Sequence, residues 1–121
     1  MNVLYVEDET LDAELVQRFM QTTPHQLIVS RNLAEARIAL QSDPHLILID
    51  LMLNKSKTGY QFARELRDQG YSRPLIAVTG LALPNEIEQC YEVGFTEVLT
   101  KPYAIKELAA LVQRYAEQDA S

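Results

Sequence analysis

Five residues in this chain combine reactive types with a regular spacing. Glu7 and Asp8 follow the apolar run Val3-Leu4-Tyr5-Val6, Asp50 follows Leu46-Ile47-Leu48-Ile49, and Thr79 follows Leu75-Ile76-Ala77-Val78. Lys101 lies just past Val98-Leu99, with Pro102 next. Carboxylates at Glu7, Asp8 and Asp50, brought onto one edge, would repel one another and raise each other's pKa values. A divalent cation removes that conflict, and hard oxygen ligands suit magnesium, which keeps several waters and takes few protein carboxylates. A lysine adds a compact positive charge that pairs with a carboxylate or a phosphoryl oxygen. A threonine hydroxyl can donate a hydrogen bond to such an oxygen. Metal, lysine, hydroxyl and a free carboxylate together suit phosphoryl transfer, with the carboxylate as nucleophile and an aspartyl phosphate as product. Asp50 is the expected nucleophile, because it ends the central strand between the acidic cluster and Thr79, while Glu7 and Asp8 are occupied with the metal.

The elements that would position these residues follow from hydrophobic periodicity. The four runs above and Leu27-Ile28-Val29 read as five short strands, and their continuous apolarity predicts burial on both faces, the mark of a parallel sheet. Between them lie helical patterns. Thr10 is a candidate N-cap for a first helix whose stripe Leu11, Leu15 and Phe19, with Val16 and Met20 beside it, reads as mostly core. Asn32 caps a second helix with Glu35 three residues on, and Leu33, Ala36, Ala39 and Leu40 share one face. A third helix follows Gly59, with Phe62, Ala63 and Leu66 apolar. A fourth starts near Pro84 and stops at Gly94. The fifth runs from about Ala104 with Ile105, Leu108, Leu111 and Val112 inward. Strict alternation of strand and helix gives a doubly wound α/β sandwich, in which function gathers at the carboxyl ends of the strands.

Composition sets the outer bounds. The 121 residues carry 17 acidic and 11 basic side chains, a net charge of −6, with 47% hydrophobic residues. That balance argues against broad nucleic-acid or anionic-membrane binding, and the length suits one domain over residues 1–121. The single cysteine, Cys90, cannot form an internal bridge, and with no secretory signal at the start the expected location is cytoplasmic. The longest apolar stretch, Leu46 to Leu53, is too short to span a bilayer and is interrupted by Asp50.

Glu7-Asp8, Asp50, Thr79 and Lys101-Pro102 resemble, in order and spacing, the receiver domain of bacterial two-component response regulators of the chemotaxis-regulator-like kind, over essentially the whole chain. The resemblance implies a flavodoxin-like (βα)5 fold with a five-stranded parallel sheet in the order 2-1-3-4-5. It implies that Asp50 accepts a phosphoryl group from a histidine kinase or a histidine phosphotransfer protein. It further implies that Mg2+ is bound by Asp8, Asp50 and the backbone carbonyl of Met52, with Glu7 helping through water. Thr79 would shift toward the phosphoryl group, Lys101 would pair with it, and the bond before Pro102 would be cis. Gly80, Leu81, Val98 and Pro102 would modulate the switch. The output would be a protein-interaction surface for a downstream protein, or a homodimer through the fourth helix, fifth strand and fifth helix. A receiver-fold module that signals without phosphorylation, and a receiver from a hybrid histidine kinase, are the alternatives. A flavodoxin-like phosphate site would need a Gly/Ser/Thr-rich loop where Glu7-Asp8-Glu9 stands, and a dehalogenase-like phosphatase would need a D-x-D motif there.

Four departures from the family pattern bear on mechanism. Val98 stands where an aromatic switch residue is usual, and Tyr103 is not a substitute for it. Gly59 lies nine residues after Asp50, one more than is commonest, and Asn54 replaces a usual proline in a loop that also carries Lys55 and Lys57. Met52 and Leu81 border the phosphoryl position, and neither can orient an attacking water, so slow self-hydrolysis is expected. His25 and His45 read as ordinary exposed or hydrogen-bonded side chains, and Cys90 as a packing residue.

Overall fold

A computed structural model describes residues 1–52, 58–80 and 83–120. Five parallel strands, β1 (Asn2–Val6), β2 (Gln26–Ser30), β3 (Leu46–Asp50), β4 (Leu75–Thr79) and β5 (Glu97–Thr100), form one sheet in the order β2-β1-β3-β4-β5. Five helices connect them: α1 (Thr10–Met20), α2 (Leu33–Ala39), α3 (Thr58–Asp68), α4 (Pro84–Val93) and α5 (Ile105–Ala120). The flavodoxin-like architecture expected from the sequence is the one observed.

Strand alternation divides the core in two. Val3, Tyr5, Leu46, Leu48, Ile76 and Val78 pack against Val16, Met20, Leu108, Leu111 and Val112 of α1 and α5. Leu4, Val6, Ile47, Ile49, Leu75 and Ala77 pack on the other face against Ala36, Phe62, Ala63, Leu66, Cys90 and Val93 of α2, α3 and α4. Burial on both faces holds for β3 and β4 throughout and for β1 after its first residue, but not for the edges. In β2 Gln26 and Ile28 reach solvent, and in β5 only Leu99 is buried. An edge strand has one neighbour and incomplete helical cover, so an apolar run of three residues does not guarantee a two-sided interior.

The first helix corrects two expectations. Its N-cap is Glu9, with Thr10 the first helical residue. The stripe Leu11 and Leu15 is not core: these side chains are 79% and 53% exposed, and Ala13, Val16 and Met20 are buried instead, with Phe19 packed at the margin. Two stripes on this helix have nearly equal apolar content, and the sheet selects the one continuous with Val3 and Tyr5. Elsewhere the local signals agree with the structure. The Asn32 side chain accepts from the Glu35 backbone N–H at 2.9 Å while its amide donates to Glu35, a reciprocal cap. Pro84 opens α4, and Gly94 closes it at φ 113, a conformation that favours glycine.

Gly59 sets the distance between α3 and the end of β3. A Cβ there would meet the Asp50 carbonyl oxygen and the Leu51 Cα at 2.9 Å each. Both are backbone atoms and cannot swing aside. Gly59→Ala is therefore expected to destabilise the protein by about 2–3 kcal/mol, in the range of overpacked cores. Thermal denaturation should show a fall in Tm of roughly 6–12 °C.

Candidate functional site

The register brings the sequence-predicted residues level. Val6 pairs with Ile49, Asp50 with Val78, and Thr79 with Thr100. Glu7, Asp50, Thr79 and Lys101 therefore meet at the carboxyl edge, and the Lys101 N–H donates to the Thr79 carbonyl at 2.8 Å. Glu7, Asp50 and Thr79 are buried, and Asp8 is half-buried. One carboxylate oxygen each from Glu7, Asp8 and Asp50 lie within 4.8 Å of one another. Oxygens across a magnesium octahedron are roughly 4.2 Å apart. The donor set, all hard oxygen, fits that ion with a small closure of side chains.

Lys101 is the hub. Its Nζ donates to Glu7 Oε2 at 3.0 Å, and to Asp50 Oδ2 and Asp12 Oδ2 at 3.4 Å each. Asp50 Oδ1 accepts the Met52 backbone N–H at 3.0 Å. Burial and then the Asp50 charge push the Glu7 carboxyl up to about 7, against the opposing pull of Lys101. Burial alone would lower the Lys101 ammonium, but the hydrogen bond and charge of Glu7, with Asp50 and Asp12, outweigh it and hold Lys101 above its ordinary value. Lys101 is thus charged at every working pH, and the mutual repulsion expected of the carboxylates is expressed at Glu7.

Two members of the site escaped the sequence reading. Asp12 lies four residues after Asp8, one helical turn on, a spacing that could have placed it at the same edge. Tyr5 precedes Glu7 by two residues in a strand, so both project from one face; its hydroxyl donates to Glu7 Oε2 at 3.0 Å. Burial and the Glu7 charge raise the Tyr5 hydroxyl far above its ordinary value, keeping it a donor.

Among the modulating positions, Gly80 is exposed beyond β4, the Lys101–Pro102 bond is cis, and Val98 is half-buried against the α2–α4 core face. Leu81, Asn54, Lys55 and Lys57 lie outside the described residues. Tyr103 points to Tyr5, their hydroxyls 3.1 Å apart, and takes no part in the Val98 environment. His45 Nδ1 accepts from the Asn2 N–H, His25 contacts the amino terminus, and Cys90 is buried in packing, as expected of all three.

A proton held by Glu7 competes with a cation at the same edge. Mg2+ affinity is expected to rise about tenfold per pH unit below about 7 and to level off above it. Calorimetric titration across that range checks the slope. Because Glu7 is raised from an ordinary 4.5, the metal-free native state binds the extra proton between about 4.5 and 7. The stability this contributes is full below about 4.5 and is lost as pH rises through about 7.

Sheet order, helix placement and the acidic edge together define the flavodoxin-like receiver class. The sequence model of the response regulator receiver domain matches residues 3–113, and the chain belongs to that family. Sensor histidine kinase CheAY of Helicobacter pylori is 31% identical over 117 residues, which cover 93% of this chain but 14% of the kinase. The chain therefore spans only a small part of that relative. Polar-differentiation response regulator DivK of Brucella anthropi is 28% identical over 117 residues, covering 94% of each. The solved receiver domain of Francisella response regulator 1452 has a TM-score of 0.88 at 23% identity, covering 98% of each chain, a likeness of fold. Receiver domains bind Mg2+ at an acidic pocket and interact with histidine kinases or phosphotransfer proteins. Among the described residues no helix is long and apolar enough to cross a membrane.

Proposed function

We propose that residues 1–121 act as one phosphoacceptor receiver, with Asp50 taking a phosphoryl group from a kinase or phosphotransfer histidine. The observation that carries this reading is the convergence of Lys101 on Asp50 and Glu7 beside Asp8. Asp8, Asp50 and the Met52 carbonyl would hold Mg2+, with Glu7 acting through water; the bound ion would neutralise charge on the phosphoryl oxygens. The Asp50 carboxylate attacks phosphorus, its new O–P bond forming as the N–P bond of the phosphohistidine breaks. The imidazole leaves as the neutral ring, its proton supplied by water on the donor's side rather than by the attacking carboxylate. Lys101, already 3.4 Å from Asp50, turns to a phosphoryl oxygen, and Thr79 donates its hydroxyl to another. With Val98 in place of an aromatic, the output rests on the Thr79 loop and the α4 surface. That surface would take a downstream protein or, through α4, β5 and α5, a second copy.

The kinase-side partner would dock on Leu11 and Leu15, beside a recess of about 370 Å³ lined by Asp12, Leu15, Lys101, Pro102 and Tyr103. The CheAY similarity favours a second setting, a receiver joined to a kinase, in which the same chemistry runs within one protein. Both settings are cytoplasmic in this reading.

Intact-mass spectrometry after incubation with acetyl phosphate and Mg2+ tests the proposal. One added phosphoryl group is expected. No addition from acetyl phosphate or from a phosphorylated histidine donor would overturn it. Met52, 38% exposed at the rim and unable to orient water, leads us to expect decay over minutes or longer rather than seconds.

A further inference from the structure

The strand pairing that aligns Glu7 with the site also places a second hydroxyl chain behind it. The Tyr5 ring is fully buried on the α1–α5 face, and its single hydroxyl hydrogen is spent on Glu7 Oε2. The Tyr5 oxygen can then only accept from Tyr103, whose hydroxyl lies 3.1 Å away. With Glu7 ionised, the chain runs one way: Tyr103 donates to Tyr5, and Tyr5 donates to Glu7. Glu7 Oε1 accepts the Glu9 backbone N–H at 3.1 Å, and Oε2 also takes Lys101. Three donors besides Tyr103 therefore pin one carboxylate.

We propose that Tyr5, backed by Tyr103, is a positioning residue that orients Glu7 and sets how Lys101 divides between Glu7 and Asp50. This rests on the phosphoacceptor reading above. Oε2 has a limited electron density to offer, and a hydroxyl bonded to it weakens its hold on the ammonium. With the Tyr5 hydroxyl present, Lys101 lies 3.0 Å from Glu7 Oε2 yet stays shared with Asp50 Oδ2 at 3.4 Å, where the phosphoryl group arrives. Without it, Lys101 is drawn to Glu7, and the Glu7 carboxylate turns away from the geometry in which it supports a hydrated cation. Tyr103 also lines the recess beside Lys101, so the wall of that recess is hydrogen-bonded to the acidic edge.

The test compares wild type, Tyr5→Phe, Tyr103→Phe, Glu7→Gln and the double variant Tyr5→Phe/Glu7→Gln. Mg2+ affinity is read by calorimetry and the rate of phosphoryl uptake by intact mass with acetyl phosphate. Tyr5→Phe should weaken Mg2+ binding about three- to tenfold, what one ordinary hydrogen bond supplies. Tyr103→Phe should act in the same direction by less, and in the Glu7→Gln background Tyr5→Phe should add nothing. A buried tyrosine serving only to fill the core would lower Tm equally in both backgrounds and leave Mg2+ affinity unchanged, which would overturn the proposal. So would an undiminished effect of Tyr5→Phe without Glu7. Should Tyr5→Phe not fold, the half-buried Tyr103→Phe carries the test alone, and wild-type Mg2+ affinity in it would overturn the relay. A wild-type protein that takes up no phosphoryl group would instead overturn the reading of Asp50.

Discussion

Asp50→Asn is expected to abolish phosphoryl incorporation and, at the same time, to make the metal-free protein more stable. The first effect follows from chemistry: an amide oxygen is too weak a nucleophile to displace the donor, and the side chain loses the charge that Mg2+ requires. The second follows from the crowding of carboxylates. Asp50 is the largest charge acting against ionised Glu7, after burial itself. An asparagine of the same shape can still accept the Met52 N–H that holds Asp50 Oδ1. Lys101 keeps Glu7 and Asp12. Relief of about one pKa unit at Glu7 corresponds to about 1–2 kcal/mol. Thermal scans without Mg2+ at neutral pH should therefore place the variant roughly 4–8 °C above wild type. The gap should close below about pH 5, where Glu7 is protonated in both proteins. It should also narrow or reverse when Mg2+ is added, since the ion stabilises whichever state binds it. A variant that loses phosphorylation without gaining stability would show that the cluster is not under charge strain.

Lys101→Met carries the second large effect. Methionine preserves the apolar stem and removes the ammonium, so loss of packing is small. The rate of phosphoryl uptake should fall about 10²–10³-fold, the usual cost of deleting one preorganised donor to a developing charge. Stability should respond with a distinctive pH dependence. Among the described residues Lys101 is the one cation bonded to Glu7, whose side chain is fully buried, and breaking such a pair is costly when the remaining charge cannot leave. Glu7 has an exit, because its carboxyl is already pushed up to about 7 and rises further without the lysine. Near pH 5 it is protonated and the loss is slight. Toward pH 8 it must either keep a proton that the unfolded chain would release or ionise unpaired, and the loss should grow to about 2–3 kcal/mol. Denaturant titrations at the two pH values separate this from a uniform packing defect. A loss independent of pH would mean that Glu7 does not titrate with Lys101.

Much of this protein is determined by local signals. The strand runs, the Asn32 cap, Pro84 and Gly94 as the bounds of α4, and the strand-end positions of Glu7, Asp50, Thr79 and Lys101 are all legible because each depends on near neighbours in the chain. Parallel topology then makes the carboxyl edge the meeting place without further information. What required the tertiary structure was everything that depends on which face wins. Leu11 and Leu15 form as good an apolar stripe as Val16 and Met20, and only the sheet beneath α1 turns the former outward. The open edges of β2 and β5 arise because helices cover the middle of a sheet better than its sides. Asp12 and Tyr5 look unremarkable in sequence. They join Lys101 and Glu7 because the start of α1 and a strand alternation carry them to the same edge, where the buried Tyr5 hydroxyl is satisfied by Glu7 and the half-exposed Asp12 reaches Lys101.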